Sequence, residues 1–226
     1  MSLDEAEAHG GSRFRHARTD LTVSDSIRQI YVSVGDMTSV PEEFRPDFRD
    51  YVVEGVRTAL EEWNDLYLQF VFVRKDSDTP QDNDRIARIY IDSGTLACGV
   101  DAWARWPRVD EVTGKTIPGP RITLDFNQID EDEMEDADWM KRLFMHEFGH
   151  TVGIRHVDRH RHTCEEDKDE GIGAGWNHID GTPQYPNYDQ DSVMTACPRD
   201  PLVARWSDGD KMALGNLYPC ITNCSP

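Results

Sequence analysis

The sequence has no long apolar run and little positive charge. None of its 226 residues belongs to an uninterrupted apolar stretch of about 18, the length expected of a transmembrane helix. Only 24 Lys and Arg oppose 43 Asp and Glu, which gives a net charge of −19. Nucleic-acid-binding proteins present clustered cations to phosphate, so this balance argues against such a partner. The sequence therefore predicts neither a transmembrane segment nor a nucleic-acid partner.

Cysteine is scarce and unevenly placed. Cys98 stands alone, whereas the other four cysteines lie in the last third of the chain, at Cys164, Cys197, Cys220 and Cys224. This clustering favours one or two disulfides in a loop-rich C-terminal part, as in exported proteins, and the alternative is five reduced thiols in a cytoplasmic protein. The first seven residues lack the basic start and apolar centre of a signal peptide. We favour an exported protein whose leader lies outside this sequence.

The apolar pattern predicts a mixed α/β fold. Strand patterns occur at 27–34, 68–73, 86–91 and 121–126, and helical spacing occurs at 48–63, 139–152 and 207–218. The first two strands are expected to be parallel because a helix connects them. We predict a twisted mixed sheet of about five strands, a backing helix, a second helix over 139–152, and an irregular C-terminal lobe that ends in a helix.

The chain is expected to form one domain behind a polar lead. Residues 1–24 are polar and aperiodic, which predicts a disordered lead or precursor remnant. No internal repeat or low-complexity linker divides the rest. We therefore predict a single domain over 25–226, with an upper lobe over about 25–153 and a lower lobe over about 154–226. A monomer is the default expectation.

One motif carries the candidate chemistry, His146-Glu-Phe-Gly-His-Thr-Val-Gly-Ile-Arg-His156. Positions four apart share a helical face, so His146 and His150 can hold one metal ion, and Glu147 can reach a water on that ion. Gly153 can adopt the positive φ that ends a helix, which lets His156 approach as a third ligand. Three imidazoles with one open position are typical of catalytic zinc. The pattern predicts a zinc site with Glu147 as general base.

This motif resembles the extended signature of the metzincin zinc endopeptidases, and the likeness is greatest to the bacterial dual-action HEIGH metallopeptidases. It also rests on Gly181-Thr-Pro183, on Asp191-Ser-Val-Met-Thr-Ala-Cys197 and on the closing segment Trp206–Pro219. The resemblance implies a metzincin-like fold, one catalytic zinc, protein or peptide substrates, and Met194 as the Met-turn residue beneath the histidines. Ala196 stands where astacins and serralysins have a tyrosine, so a tyrosine that stabilises the transition state is not expected there.

Other residues near the motif carry further predictions. Asp158 either hydrogen-bonds near the third histidine or caps the turn. A disulfide between Cys164 and Cys197 would order the loop before the Met-turn. The acidic run 130–136 either favours the start of the following helix or binds calcium. A catalytic zinc already has enough nitrogen donors without the surplus histidines, His160, His162 and His178.

The main functional hypothesis is a zinc endopeptidase. An extended substrate would lie along an exposed sheet edge near 99–106, where an added strand gains main-chain hydrogen bonds. The alternative is a catalytically weak, zinc-bound recognition or toxin-like module, in which an intact Glu147 has no chemical role. Self-processing of the polar N-terminal residues is a third hypothesis. The charge of −19 also predicts a mild preference for Lys- or Arg-rich substrates that weakens as ionic strength rises.

Overall fold

The computed structural model describes residues 22–75, 85–96, 99–157, 189–195 and 202–220. Within these residues the elements follow one another as β1 (Gln29–Val34), α1 (Arg45–Asn64), β2 (Val71–Arg74), β3 (Ile86–Ser93), β4 (Ala102–Ala104), β5 (Arg108–Val109), β6 (Thr116–Ile117), β7 (Arg121–Leu124), α2 (Glu131–Glu135), α3 (Ala137–Thr151) and α4 (Asp208–Leu217). The predicted mixed α/β class is confirmed.

A five-stranded mixed sheet forms the centre of the fold, in the order β2-β1-β3-β7-β4. β1 runs parallel to both β2 and β3, and β3 runs parallel to β7. The predicted parallel pairing of the first two strands is therefore confirmed. β4 is the antiparallel member and lies at one edge, where Ala102 pairs with Leu124 and Ala104 with Ile122. The exposed edge predicted near 99–106 thus coincides with β4.

One face of the sheet packs against α1 and α3. Successive strand residues point to opposite faces, and the inward set is aliphatic: Ile30, Val32, Ile89, Ile91, Ile122 and Leu124. The helices meet this layer with side chains at helical spacing: Phe48, Val52, Val56 and Trp63 from α1, and Met140, Phe144, Met145 and Phe148 from α3. The helix that carries the histidine motif, α3, therefore packs through buried apolar side chains against both the sheet and α1.

Three local features differ from the sequence-based expectation. β2 begins later than predicted, because Leu68 and Phe70 are buried by packing although they precede the ladder. β5 and β6 pair as a separate ribbon within a stretch rich in Trp, Pro and Gly, where two-residue strands leave no periodic signal. The acidic run contains a short helix that the sequence did not predict, because Glu131–Glu135 forms α2, capped by the paired side chains of Asp130 and Glu133.

Asp136 supplies the start of α3. Its carboxylate accepts hydrogen bonds from the backbone N–H groups of Asp138 at 2.9 Å and Trp139 at 3.2 Å. The end of the acidic run therefore acts at a helix start, one of the two alternatives left open by the sequence. Across the described ranges, no helix combines the length and the apolarity needed to cross a bilayer. The division into two lobes stays a prediction.

Candidate active site

The end of α3 turns the chain back toward its own last turn. Gly153 has a φ of 97°, a left-handed conformation that glycine adopts at low cost. The N–H of Gly153 donates to the His150 carbonyl at 3.0 Å, and the N–H of Ile154 donates to the Gly149 carbonyl at 2.8 Å. This pair of bonds is a Schellman motif. It sends the segment that carries His156 back across the helix end.

The three motif histidines meet at one point. Nε2 of His146 lies 3.0 Å from Nε2 of His150 and 3.0 Å from Nε2 of His156, and the last two nitrogens are 3.2 Å apart. Among the residues that the structure describes, this is the group of histidine, cysteine or acidic side chains placed to share a metal ion. The fold thus brings together three imidazole nitrogens, although His150 follows His146 by 4 residues and His156 follows His150 by 6.

Hydrogen bonds on the far side of the rings fix their tautomers. Nδ1 of His146 lies 2.8 Å from the Val193 carbonyl, and Nδ1 of His150 lies 2.7 Å from the Ile154 carbonyl. A carbonyl only accepts, so each Nδ1 donates its proton and each neutral ring keeps a lone pair on Nε2. Burial, followed by the neighbouring His150, holds the pKa of His146 well below its usual range, which favours the neutral ring.

The donor set fits zinc. Tetrahedral zinc–nitrogen bonds of about 2.0–2.1 Å place neighbouring nitrogens roughly 3.3 Å apart. The observed separations of 3.0 to 3.2 Å are close to that spacing. Lone pairs held this close repel one another unless a cation lies between them. His146, His150 and His156 could therefore hold a zinc ion and leave a fourth position open.

Glu147 lies beside the histidines with one oxygen available. The side chain is 4% exposed, and its carboxylate accepts a hydrogen bond from the backbone N–H of Ala104 on β4. Its other oxygen, Oε2, has no hydrogen-bond partner among the described residues. Burial, and then the negative charge of Asp101, raise the pKa of Glu147 to about 8. A buried carboxyl group of this kind suits proton exchange near neutral pH.

Met194 packs beneath the site against α3. The side chain is 1% exposed, and a Cβ at Gly149 would collide with its sulfur, so the glycine makes room for it. The Met194 carbonyl accepts a hydrogen bond from the N–H of Val157 at 3.0 Å. The loop around Met194 therefore supports both the helix and the segment that follows His156.

Comparisons with known proteins identify the family. The model of the dual-action HEIGH metallo-peptidase family matches residues 17–218. The chain belongs to this family. No curated protein matches it. Two solved structures of myroilysin are similar: one is 17% identical over 89% of this chain and 97% of that one, with a TM-score of 0.44. The other is 16% identical over 97% of both chains, with a TM-score of 0.45.

A buried network in this HEIGH metallopeptidase connects the last helix to the histidines. Asp210 on α4 accepts hydrogen bonds from the Ser192 hydroxyl at 2.5 Å and from the Val193 N–H at 2.9 Å. The Val193 carbonyl in turn accepts from Nδ1 of His146 at 2.8 Å and from the Arg142 guanidinium at 3.1 Å. Asp210 therefore orients His146 through one intervening residue.

Asp210→Asn is expected to weaken zinc binding by about 10- to 100-fold, the usual cost of losing an outer hydrogen-bond partner of a metal ligand. An amide cannot accept from both Ser192 and Val193 with the strength of a carboxylate. Competition with a chromophoric chelator measures the affinity. Asp208→Asn is the matched control, because Asp208 is exposed on the first turn of the same helix. Equal zinc affinities in the two variants would contradict this role.

Asp101, at the start of the edge strand, offers a prediction on stability. Burial raises the pKa of Asp101 to about 6, and the nearby carboxylates of Glu133, Asp130 and Asp125 add to the effect. Its pKa is higher in the folded than in the unfolded chain, so folding favours the protonated form. Its stabilising contribution is fully present below about pH 4 and is lost as pH rises through about 6.

Asp101→Asn is therefore expected to stabilise the metallopeptidase at pH 7 by about 1 kcal/mol, a value reduced for solvent screening. For a chain of this size that corresponds to roughly 2–4 °C in Tm. Thermal unfolding at pH 4, 5, 6 and 7 measures the effect, which should fade toward pH 4. Asp50→Asn on the exposed face of α1 is the control. A gain of the same size at every pH would show that ionisation of Asp101 is not its cause.

Several sequence predictions fall on other parts of the chain. The calcium alternative for the acidic run finds no support, since the metal-competent group found within the described ranges consists of histidines. Of the polar lead predicted over 1–24, residues 1–21 lie outside the described residues, but Val23 is buried in the core and the Ser24 N–H donates to the Thr116 carbonyl at 2.8 Å, so the predicted end of the lead is too late. Other predicted positions also lie outside the described residues, namely Asp158, Cys164, Cys197, His160, His162 and His178. Their roles stay predictions.

The structure also shows functional groups that the sequence analysis missed. Three are backbone atoms, namely the carbonyls of Val193 and Ile154 and the N–H of Ala104. Backbone groups have no residue-type signature, so no motif could point to them. In the sequence, Asp210 is a carboxylate three residues after Ser207, a spacing that indicates a capping box. That spacing does not indicate the second contact of Asp210, with the N–H of Val193.

Proposed function

We propose that this metallopeptidase is a zinc-dependent endopeptidase of the metzincin type. His146, His150 and His156 hold the zinc ion in this proposal, and Glu147 is the general base. The observation that carries it is the convergence of three Nε2 atoms within 3.0 to 3.2 Å beside a buried carboxylate whose Oε2 lacks a partner among the described residues.

The proposed chemistry is hydrolysis of a peptide bond by water. Zinc bound by the histidines would lower the pKa of a bound water and polarise the scissile carbonyl. Glu147 takes a proton from the attacking water on Oε2 and delivers it to the leaving amine. Its hydrogen bond to the Ala104 N–H holds the carboxylate against β4. Burial, which raises the pKa of Glu147, makes the ionised carboxylate a stronger base toward the attacking water.

The edge strand β4 is the proposed substrate-binding strand. Asp101 and Arg105 make main-chain hydrogen bonds to Asp125 and Arg121, which places the main-chain groups of Ala102 and Ala104 on the opposite side. No strand among the described residues pairs with that side of β4. The Ala104 N–H already donates to Glu147, so an extended peptide could add there through the Ala104 carbonyl and the main chain of Ala102, which would bring a peptide bond beside Glu147.

Two residues support the metzincin type in this proposal. Met194 takes the role of the Met-turn residue, since its buried side chain packs against Gly149 on the helix that carries two of the ligands. Gly153 takes the role of the helix-ending turn, since its positive φ brings the third histidine back to the site. Export also belongs to the proposal, and it is supported by the clustering of four cysteines in the last third of the sequence.

The test is cleavage of casein and of a peptide library by the purified, zinc-loaded chain. We expect internal cleavage that stops when a chelator removes the metal and returns when zinc is added. Cleavage that continues in excess chelator would contradict the proposal. Stoichiometric zinc without any cleavage would instead favour the recognition or toxin-like module. Measuring basic and acidic peptides at two salt concentrations would also test the charge-steering prediction, which equal rates would refute.

A further inference from the structure

The side chains on one face of the edge strand change abruptly in size. The N–H of Arg105 donates to the Arg121 carbonyl at 2.9 Å, so the ladder with β7 continues beyond Ala104. Alternate residues of an extended segment share a face, which places Ala102, Ala104 and Trp106 on the same side. Ala104 is buried in the core, whereas Trp106, the next residue on this side, is large and only half-buried. The indole is therefore the first partly exposed apolar side chain after the alanines.

Trp106 lies against a proposed zinc ligand. Its ring centroid is 5.1 Å from that of His150, with the two planes inclined by 58°. The guanidinium carbon of Arg155 lies 5.8 Å from the same indole. Trp106 is only half-buried, so part of the indole is accessible beside the histidines. An accessible aromatic surface next to a reacting centre can contact a bound side chain.

Strand polarity indicates which part of a substrate reaches Trp106. Antiparallel pairs are the more stable and the more frequent arrangement, so we take the substrate as antiparallel to β4. Ala104 contacts Glu147, so we place Ala104 next to the scissile bond. Trp106 follows two residues later, which corresponds to about two residues toward the N-terminus of the substrate. Trp106 therefore faces the second or third residue before the scissile bond.

We propose that Trp106 forms the wall of a subsite for a large apolar side chain at the second or third position before the scissile bond. This inference rests on the proposed endopeptidase function. Leu, Phe or Met would bury apolar surface against the indole. This local preference differs from the overall attraction of basic substrates by the net charge.

The test compares cleavage of a peptide library randomised on both sides of the scissile bond. The wild-type chain should prefer Leu, Phe and Met at the second or third position before the bond. Trp106→Ala should reduce this preference by about 2- to 10-fold, and Trp106→Phe should keep most of it. Preferences at positions after the bond should not change. Because a preference is a ratio measured on one enzyme preparation, partial unfolding of a variant does not alter it.

Trp103→Ala is the matched control, since Trp103 lies on β4 three residues before Trp106 and its side chain points to the face opposite Ala102 and Ala104. Its cleavage profile should equal that of the wild type. A uniform loss of kcat/KM in Trp106→Ala with an unchanged profile would overturn the subsite and show that the indole only positions His150. A change confined to positions after the scissile bond would also overturn it. A wild-type chain that cleaves no peptide would refute the endopeptidase function itself, a result distinct from both.

Discussion

Glu147→Gln is expected to lower kcat/KM by about 10²- to 10⁴-fold while the chain still binds one zinc ion. Glutamine has nearly the same shape but cannot take a proton from water at neutral pH. Its amide can still accept a hydrogen bond from the Ala104 N–H that holds the native carboxylate. Burying an ionised carboxylate costs free energy, so we expect the neutral amide to leave the fold intact. Steady-state cleavage of a fluorogenic peptide and zinc analysis of the same sample measure both quantities.

The matched control for this variant is Glu135→Gln, on the exposed surface of α2. It removes one carboxylate from the same acidic chain without touching the site, so its kcat/KM should equal that of the wild type. Glu147→Gln with more than a tenth of wild-type activity and full zinc would contradict the general-base role. Loss of zinc in Glu147→Gln would show a structural role instead.

His156→Ala is expected to reduce zinc affinity by more than about 100-fold. Losing an outer hydrogen-bond partner of a ligand already costs about 10- to 100-fold, and losing the ligand itself costs more. The nitrogens of His146 and His150, 3.0 Å apart, would remain as a two-donor site. We expect substoichiometric zinc after dialysis and no measurable cleavage at the zinc concentration that saturates the wild type.

His178→Ala is the control for the third ligand, since the sequence analysis predicts that His178 is not a ligand. It should retain both zinc and activity. A cobalt-substituted sample adds a second measurement, because the visible absorption of bound cobalt reports its coordination. The wild type and His178→Ala should share one spectrum, and His156→Ala should lose it. An unchanged spectrum in His156→Ala would remove His156 from the ligand set.

The sequence predicted the parts of the fold and site that depend on spacing. Residues four apart share a face in any α-helix, so the shared face of His146 and His150 could be predicted from their interval alone. The same holds for the apolar spacing in α1 and for the turn at Gly153, where φ is 97°. These signals depend only on neighbouring residues. The structure has the helices and the turn where apolar periodicity and the glycine predict them.

Features that depend on distant contacts could not be predicted. The backbone N–H of Ala104 reaches Glu147 only because β4 is antiparallel to β7, and no local pattern encodes that pairing. Trp106 lies against His150 for the same reason. The short β5 and β6 strands and α2 have too few residues for a periodic signal. Long-range pairing and short elements thus account for most of the differences.

The bond between Asp210 and the Val193 loop also has a consequence for how the protein is made. His146 takes its Nδ1 partner from Val193, and Val193 is held by a helix that lies about sixty residues later in the chain than His146. A ribosome releases the N-terminal part first, so the motif helix emerges before the residue that completes its support. The growing chain carries the histidines without their final orientation until α4 has been translated. The hydrogen-bond support of His146 is therefore complete only after α4 has been synthesised.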